Sequence, residues 1–315
     1  MHGLTPGSGI SKSPALRPRA AREARRPWHG LVSRRLSHWL LVAQRKPLGV
    51  VSAVLLVALI LSAAGAGVLA SYDPLTVADA ERLQPPSWTH PMGTDNLGRD
   101  ILSRIIYGAR ISLWVGCLSV LIATGVGVIV GTVSAYAGGT VDLIVQRFID
   151  AVQSIPGLIL ALVKVVVLGP STATAIAAIA IVNIPSQARV VRGAVLAVTE
   201  ELYIDAARAI GCSHARLMLC HILPNIMAAV IVLASVLFGN AIIIEASLSF
   251  LGLGTPPPAP SWGGMLSGAG RQFMQQVPTL ALFPGLAINT AVLACNLFGD
   301  MLRDMLDPRL RRGME

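Results

Sequence analysis

Charge is scarce in this chain: Asp, Glu, Lys and Arg make up 13% of its 315 residues, while 54% are hydrophobic. A soluble domain of this length would need more charge to cover its surface. Chemistry-bearing motifs are absent as well. No Gly-x-x-x-x-Gly-Lys-Ser/Thr loop occurs, so nucleotide is not held in the usual way. The six histidines (His2, His29, His38, His90, His214 and His221) form no His-Glu-x-x-His site and do not pair at metal-ligand spacing. No Gly-x-Ser-x-Gly elbow is present. The four cysteines, Cys117, Cys212, Cys220 and Cys295, lack metal-like spacing and read as reduced and structural.

What the chain does have is long apolar blocks. Residues 47–72, 111–141, 165–188, 217–244 and 272–299 contain no Asp, Glu, Lys or Arg. Charge at the bilayer centre is costly, and about 20 apolar residues cross the hydrocarbon core, so these gaps mark spans. A further stretch from Ala151 to Leu168 is interrupted by Pro156 and Lys164. The fold class expected is an all-α membrane protein with six transmembrane helices, roughly at 49–70, 112–136, 151–169, 171–188, 225–244 and 279–299.

Basic residues set the expected orientation. The first 47 residues carry ten Lys and Arg against one acid, Glu23. By the positive-inside rule this places residues 1–47, a basic and partly disordered tail, in the cytoplasm. The apolar block after it is too long and starts too late for a signal peptide, so the first span is expected to stay as an anchor. Segment 71–110 holds five acids and four bases and suits the outside. Six spans then return the tail 303–315, with Arg303, Arg309, Arg311 and Arg312, to the cytoplasm. The expected organisation is thus a membrane domain over 48–302 between two cytoplasmic tails, in the inner membrane. The pI of about 10.1 comes from this juxtamembrane charge. It implies attraction to anionic lipid headgroups, and nucleic acid is excluded as a partner.

Along the second span, Ala123, Gly127, Gly131 and Ala135 recur every four residues and present one slim helix face, which reads as intrachain packing. The prolines and glycines from Thr255 to Gly264 exclude a regular helix there and predict a turn at the outer surface. The cytoplasmic loop 189–224 is the informative one. Tyr203 to Asn225 reads as two short helices meeting at a bend. Ala206, Ala207 and Ala209 favour helix, Gly211 ends the first helix, and Ser213 N-caps the second. Pro224 limits or kinks the start of span five. A slim capped helix projecting from a membrane suits docking into a partner's groove.

This order resembles the EAA loop of ABC importer permeases, which has the same Gly, long spacer and Leu-Pro. Further motifs follow in sequence: His90 to Asp100, Tyr107-Gly108-Ala109-Arg110, Glu245 to Gly254, and Leu302 to Leu310. Together they resemble the dipeptide/oligopeptide permease family, C-type subunit, from about Trp39 to Leu310; nickel-importing relatives share much of the pattern. The resemblance implies the type I ABC importer permease fold and a non-catalytic membrane subunit forming half of a peptide pathway. It also implies a second B-type permease subunit as heterodimer partner, ATP-binding subunits that carry ATP and Mg, and an external substrate-binding protein. Asp205, Ala206, Ala207 and Gly211 would then be docking positions on the coupling helix, with Leu223 and Pro224 closing the motif. The family commonly has Glu where Asp205 stands.

Two charges are candidates for the path or its gate. Lys164, near the outer end of span three, either snorkels to the headgroups or contacts a peptide carboxylate. Glu245, at the outer end of span five, either pairs with a basic group at the gate or sits in the interface. Two other classes remain in view. An ion-gradient-driven secondary transporter would place charged or broken-helix sites near the midplane, where Lys164 is the one candidate; a non-transporting membrane scaffold would bind partners without flux.

Overall fold

The computed structural model describes residues 47–306, and most of both expected tails falls outside them. Among the described residues there is no β-strand, only an isolated bridge between Thr94 and Asp100. The helices are α1 (Pro47–Ala64), α2 (Ala66–Leu69), α3 (Ile101–Ala137), α4 (Gly139–Gln153), α5 (Gly157–Leu168), α6 (Thr172–Thr199), α7 (Leu202–Ala209), α8 (His214–Arg216), α9 (Leu223–Phe250), α10 (Trp262–Leu266), α11 (Ala269–Phe273) and α12 (Thr279–Leu306). A π-helical turn, Leu217–Ile222, joins α8 to α9.

Five helical stretches are long and apolar enough to cross a bilayer: α1, α3, α6, the run His214–Phe250, and α12. The third expected span departs from a simple helix. It is the bent pair α4 and α5, which meet at 84°. Pro156 has no N–H to give, and Ser154 and Ile155 leave the helix before it. With twelve residues, α5 is about 18 Å long, well short of the ~30 Å hydrocarbon core. The helix α1 stops at Ala64, short of the expected residue 70, whereas α3, α6, α9 and α12 overrun the expected bounds. At 37 residues α3 is about 55 Å long, so its first turns, before the expected span 112–136, stand clear of the core.

Helix ends are set by local chemistry. Asp100 caps α3 by accepting from the Ser103 N–H at 2.8 Å, and Ser171 caps α6 through the Thr174 N–H at 3.0 Å. The stripe of small residues on α3 does what its spacing suggested, because Ala123, Gly127, Gly131 and Ala135 are all buried. A Cβ on Gly131 would lie 2.5 Å from the Ala188 carbonyl oxygen, and one on Gly127 would lie 2.6 Å from Gln187 Cβ. The absence of side chains is what allows α3 and α6 to touch backbone to backbone. Val115, Ala161, Val165, Ile179, Ala241 and Leu248 from α3, α5, α6 and α9 form one apolar core. Ala63, Leu113, Ile242, Trp262 and Cys295 join α1, α3, α9, α10 and α12 in another.

Candidate coupling site and polar interior

At one end of the bundle, α7 packs by one face only. Ile204 and Ala207 are buried with Ala135, Val191, Val195, Leu217, Ile222, Ile226 and Val230, which come from α3, α6, the π turn and α9. Asp205 and Ala206 are exposed, as are Leu202 (85%) and Ile210 (86%). The resemblance implied four docking positions, but the structure turns Ala207 inward, where it holds the helix to the bundle. Ala207 lies one turn after Ile204 and shares its face of the eight-residue helix, so the two are buried together.

The end of α7 is a Schellman motif. The Cys212 N–H donates to the Ala207 carbonyl at 3.1 Å and the Gly211 N–H to that of Arg208 at 3.0 Å. Gly211 takes φ +85°, which only glycine adopts without penalty. Ser213 then accepts from the Arg216 N–H at 3.4 Å, as its N-cap reading predicted. The second short helix is shorter than expected, one turn running through the π turn into α9. Pro224 sits in the first turn of α9, where its missing N–H is tolerated, and it is exposed, with Leu223 half-buried. The wide turn before it absorbs the ring, so the start of span five is neither blocked nor broken.

Two side-chain struts tie this end to the spans. Asn225 Nδ2 donates to the Tyr203 hydroxyl at 3.0 Å, joining α7 to α9. Tyr136 Oη lies 2.5 Å from His214 Nδ1, joining α3 to α8. Beside them, Arg192 of α6 forms a two-point ion pair with Asp142 of α4, its Nε 2.7 Å from one carboxylate oxygen. The Ser134 hydroxyl donates to the same carboxylate at 2.6 Å, and Arg189 pairs with Asp150 at 2.7 Å. The crossing helix α4 is thereby fixed to α6 at two levels.

At the opposite end, motifs far apart in sequence converge. Asp95 accepts from the N–H groups of Leu97 and Arg99 and from Arg99 Nε at 2.7 Å. His90 Nδ1 meets Asp100 at 3.0 Å, and Arg104 donates to the Pro74 carbonyl at 2.9 Å. Gly98, at φ +72°, passes so close to Ala78 that a Cβ would overlap the Ala78 carbonyl oxygen at 1.9 Å. The Pro/Gly segment does contain a helix, contrary to its reading as turn alone. Ser261 caps α10 through the Gly264 N–H, and Trp262, wholly buried over Gly108, donates Nε1–H to the Ile105 carbonyl at 3.0 Å. A cleft of about 210 Å³ lies between Asp95, Arg99 and Arg104 on one side and Met265 and Leu280 on the other.

The two candidate pathway charges behave differently. Glu245 is 1% exposed and accepts from the hydroxyls of Ser112 (2.9 Å) and Ser249 (2.8 Å). Its partners are hydroxyls on α3 and α9, which makes it a helix-to-helix hydrogen-bond bridge, and among the described residues no basic group pairs with it. Lys164 is half-buried on α5 and makes no ion pair among the described residues. Sequence reading also passed over the amides of Asn183, Gln187, Asn240 and Asn296, whose signal was a polar side chain inside a charge-free run. All four cysteines are unpaired, and no cluster of metal-binding side chains occurs among the described residues.

Five apolar spans with a bent sixth and a capped helix at one end define a polytopic helical membrane protein. Residues 123–312 match the family described as binding-protein-dependent transport system inner membrane component, and the chain belongs to that family, the membrane-embedded permease subunits of ABC importers. It is 43% identical over 268 residues to the dipeptide transport system permease protein DppC of Alkalihalophilus pseudofirmus, covering 85% of this chain and 88% of that one. It is 42% identical over 268 residues to the glutathione transport system permease protein GsiD of Pectobacterium atrosepticum, covering 85% and 89%. Among solved structures, the inward-facing MetNI methionine ABC transporter shares its fold with TM-score 0.55 and 19% identity, covering 66% of this chain and 98% of that one.

Proposed function

We propose that this chain forms half of a translocation pathway for short peptides, paired with a second B-type permease subunit and driven by ATP bound on other subunits. The observation that carries this reading is α7: a capped helix with Asp205, Ala206, Leu202 and Ile210 turned outward, in a chain about 40% identical to peptide and glutathione permeases. The basic tail 1–47 and the tail 303–315 lie in the cytoplasm, on the same side of the membrane as α7, and the membrane domain runs over 48–302. The end bearing His90, Asp95 and Trp262 faces outward and receives a substrate-binding protein. The chain supplies no catalytic group and holds no cofactor; ATP and Mg belong to the partners.

The residues then divide the work. Closure of the ATP-binding subunits presses on Asp205, Ala206 and the Gly211 turn. Ala207 and Ile204 convey that push into the core shared by α3, α6 and α9, and the Tyr203–Asn225 and Tyr136–His214 struts carry it to α9 and α3. The spans rock as rigid units, which exchanges the outward and inward openings. The test is uptake of radiolabelled dipeptides and tripeptides by proteoliposomes holding the full complex and its binding protein. ATP-dependent uptake is expected. Uptake that survives ATP depletion but follows an ion gradient would indicate a secondary transporter, and its absence from an assembled complex a scaffold.

A further inference from the structure

We propose that Asn183, Asn240 and Asn296 form an amide band that hydrogen-bonds the main chain of a peptide in transit; this rests on the peptide-importer reading above. The three residues lie on α6, α9 and α12. Asn240 Nδ2 donates to Asn183 Oδ1 at 3.2 Å. Asn296 reaches the residue next door, since a Cβ on Gly239 would lie 3.1 Å from its Oδ1. The three amides therefore lie at a single level, Asn240 and Asn296 at the surface of the bundle and Asn183 buried behind Asn240.

That level is deep. Asn240 stands about 15 Å before the end of α9, and Asn183 about 17 Å after the start of α6, by the 1.5 Å helical rise. Both helices begin or end there at the same side of the bundle, so the pair sits near the middle of the hydrocarbon core. Asn240 and Asn296 are nonetheless exposed on this subunit. Exposed amides at that depth are not a surface for lipid, which has no group to pair with them. The flanking residues on the α9 face, Val236 and Ile243, are 41% and 46% exposed.

The free chemistry of the band matches a peptide bond. Asn183 is buried and serves the band by accepting from Asn240, while the exposed amides of Asn240 and Asn296 present donors and acceptors at the surface. An asparagine amide has two N–H donors and one C=O acceptor, which can pair with the C=O and N–H of a peptide group whatever side chains the cargo carries. A pathway lined this way reads the main chain and leaves the side chains to other parts of the system.

The experiment uses the whole complex with its binding protein in proteoliposomes. Asn240→Cys is made in a background with Cys117, Cys212, Cys220 and Cys295 replaced by Ser or Ala, and is treated with a charged, membrane-impermeant thiosulfonate. Modification is expected, slowed by trialanine in the presence of binding protein and ATP. In parallel, Asn240→Ala and Asn240→Ser are expected to lower uptake of trialanine, trileucine and triglutamate alike, by about three- to ten-fold, while ATP hydrolysis by the complex persists. No modification would mean a lipid-facing or sealed subunit contact and would overturn the band, as would unchanged uptake in both variants. Modification that trialanine does not slow would also overturn it. Absence of both dipeptide and tripeptide uptake by the unsubstituted complex would instead sink the peptide-importer reading, and the band with it.

Discussion

Gly211 offers a test in which space and backbone strain can be separated. Nothing lies within 4 Å of where its Cβ would be, so a side chain meets no clash. The cost of substitution is conformational, because φ +85° lies in the left-handed region. That region costs an ordinary residue roughly 1–2 kcal/mol, less for Asn, whose short polar side chain tolerates it, and more for a β-branched residue. About 1.4 kcal/mol is tenfold in an equilibrium, so Ala should reduce the fraction of correctly ended α7 helices about ten-fold relative to the alternatives. Val should do worse and Asn should stay near the glycine. The assay is peptide taken up per ATP hydrolysed by proteoliposomes carrying each variant complex, with assembly checked by co-purification of all subunits. The expected order is Gly, Asn, Ala, Val, with ATP use persisting while uptake falls. If Val transported as well as Gly, or Asn were the worst, the turn would not be what couples α7 to the spans.

Other outcomes follow from the packing. Gly131→Leu should push α3 from α6 and lower the complex's thermal midpoint, an overpacking cost of about 1–3 kcal/mol, whereas Gly125→Ala, with nothing within 4 Å, should leave it unchanged or raise it. Arg192→Ala leaves the Asp142 carboxylate without its two-point partner, so a double-mutant cycle with Asp142→Ala should return a coupling of about 1 kcal/mol in thermal stability; Asp205→Ala with Arg208→Ala, an exposed pair, should return close to none. Glu245→Leu strips both Ser112 and Ser249 of their acceptor, at roughly 1–3 kcal/mol for each buried group. It should destabilise the complex more than Glu245→Gln, which keeps one oxygen; equal losses would refute the bridge. Lys164→Gln should leave uptake unchanged if the lysine snorkels, and lower it for peptides with a free carboxylate if it lines the path.

The spans were legible because the cost of charge in hydrocarbon is written directly into composition: each charge-free run from 47–72 to 272–299 holds most of one long apolar helix. The ends of α7 were legible too, since Gly211 and Ser213 act on their own neighbours. The small-residue stripe on α3 gave its partner face but not its partner, Thr172–Thr199.

What the residues could not decide alone is which way each side chain turns and what it meets. Ala207 stands between two exposed positions in sequence yet is buried, because the packing of Ile204 sets the rotation of α7. Glu245 is the same carboxylate in either environment. Only the approach of α3 brings Ser112, 133 positions away, to within 2.9 Å of it and makes it a bridge. The 84° break at Pro156 was foreshadowed by the proline, but the ion pairs of Asp142 and Asp150 that hold α4 to α6 join residues 50 and 39 positions apart and exist only in the packed fold. Asn183, Asn240 and Asn296 look like isolated polar residues until three helices set them side by side. Local free energies of helix formation, capping and desolvation are properties of a short stretch, so the sequence alone determined the spans and caps. Hydrogen bonds and steric fit between distant residues exist only after packing, and those the tertiary structure alone decided.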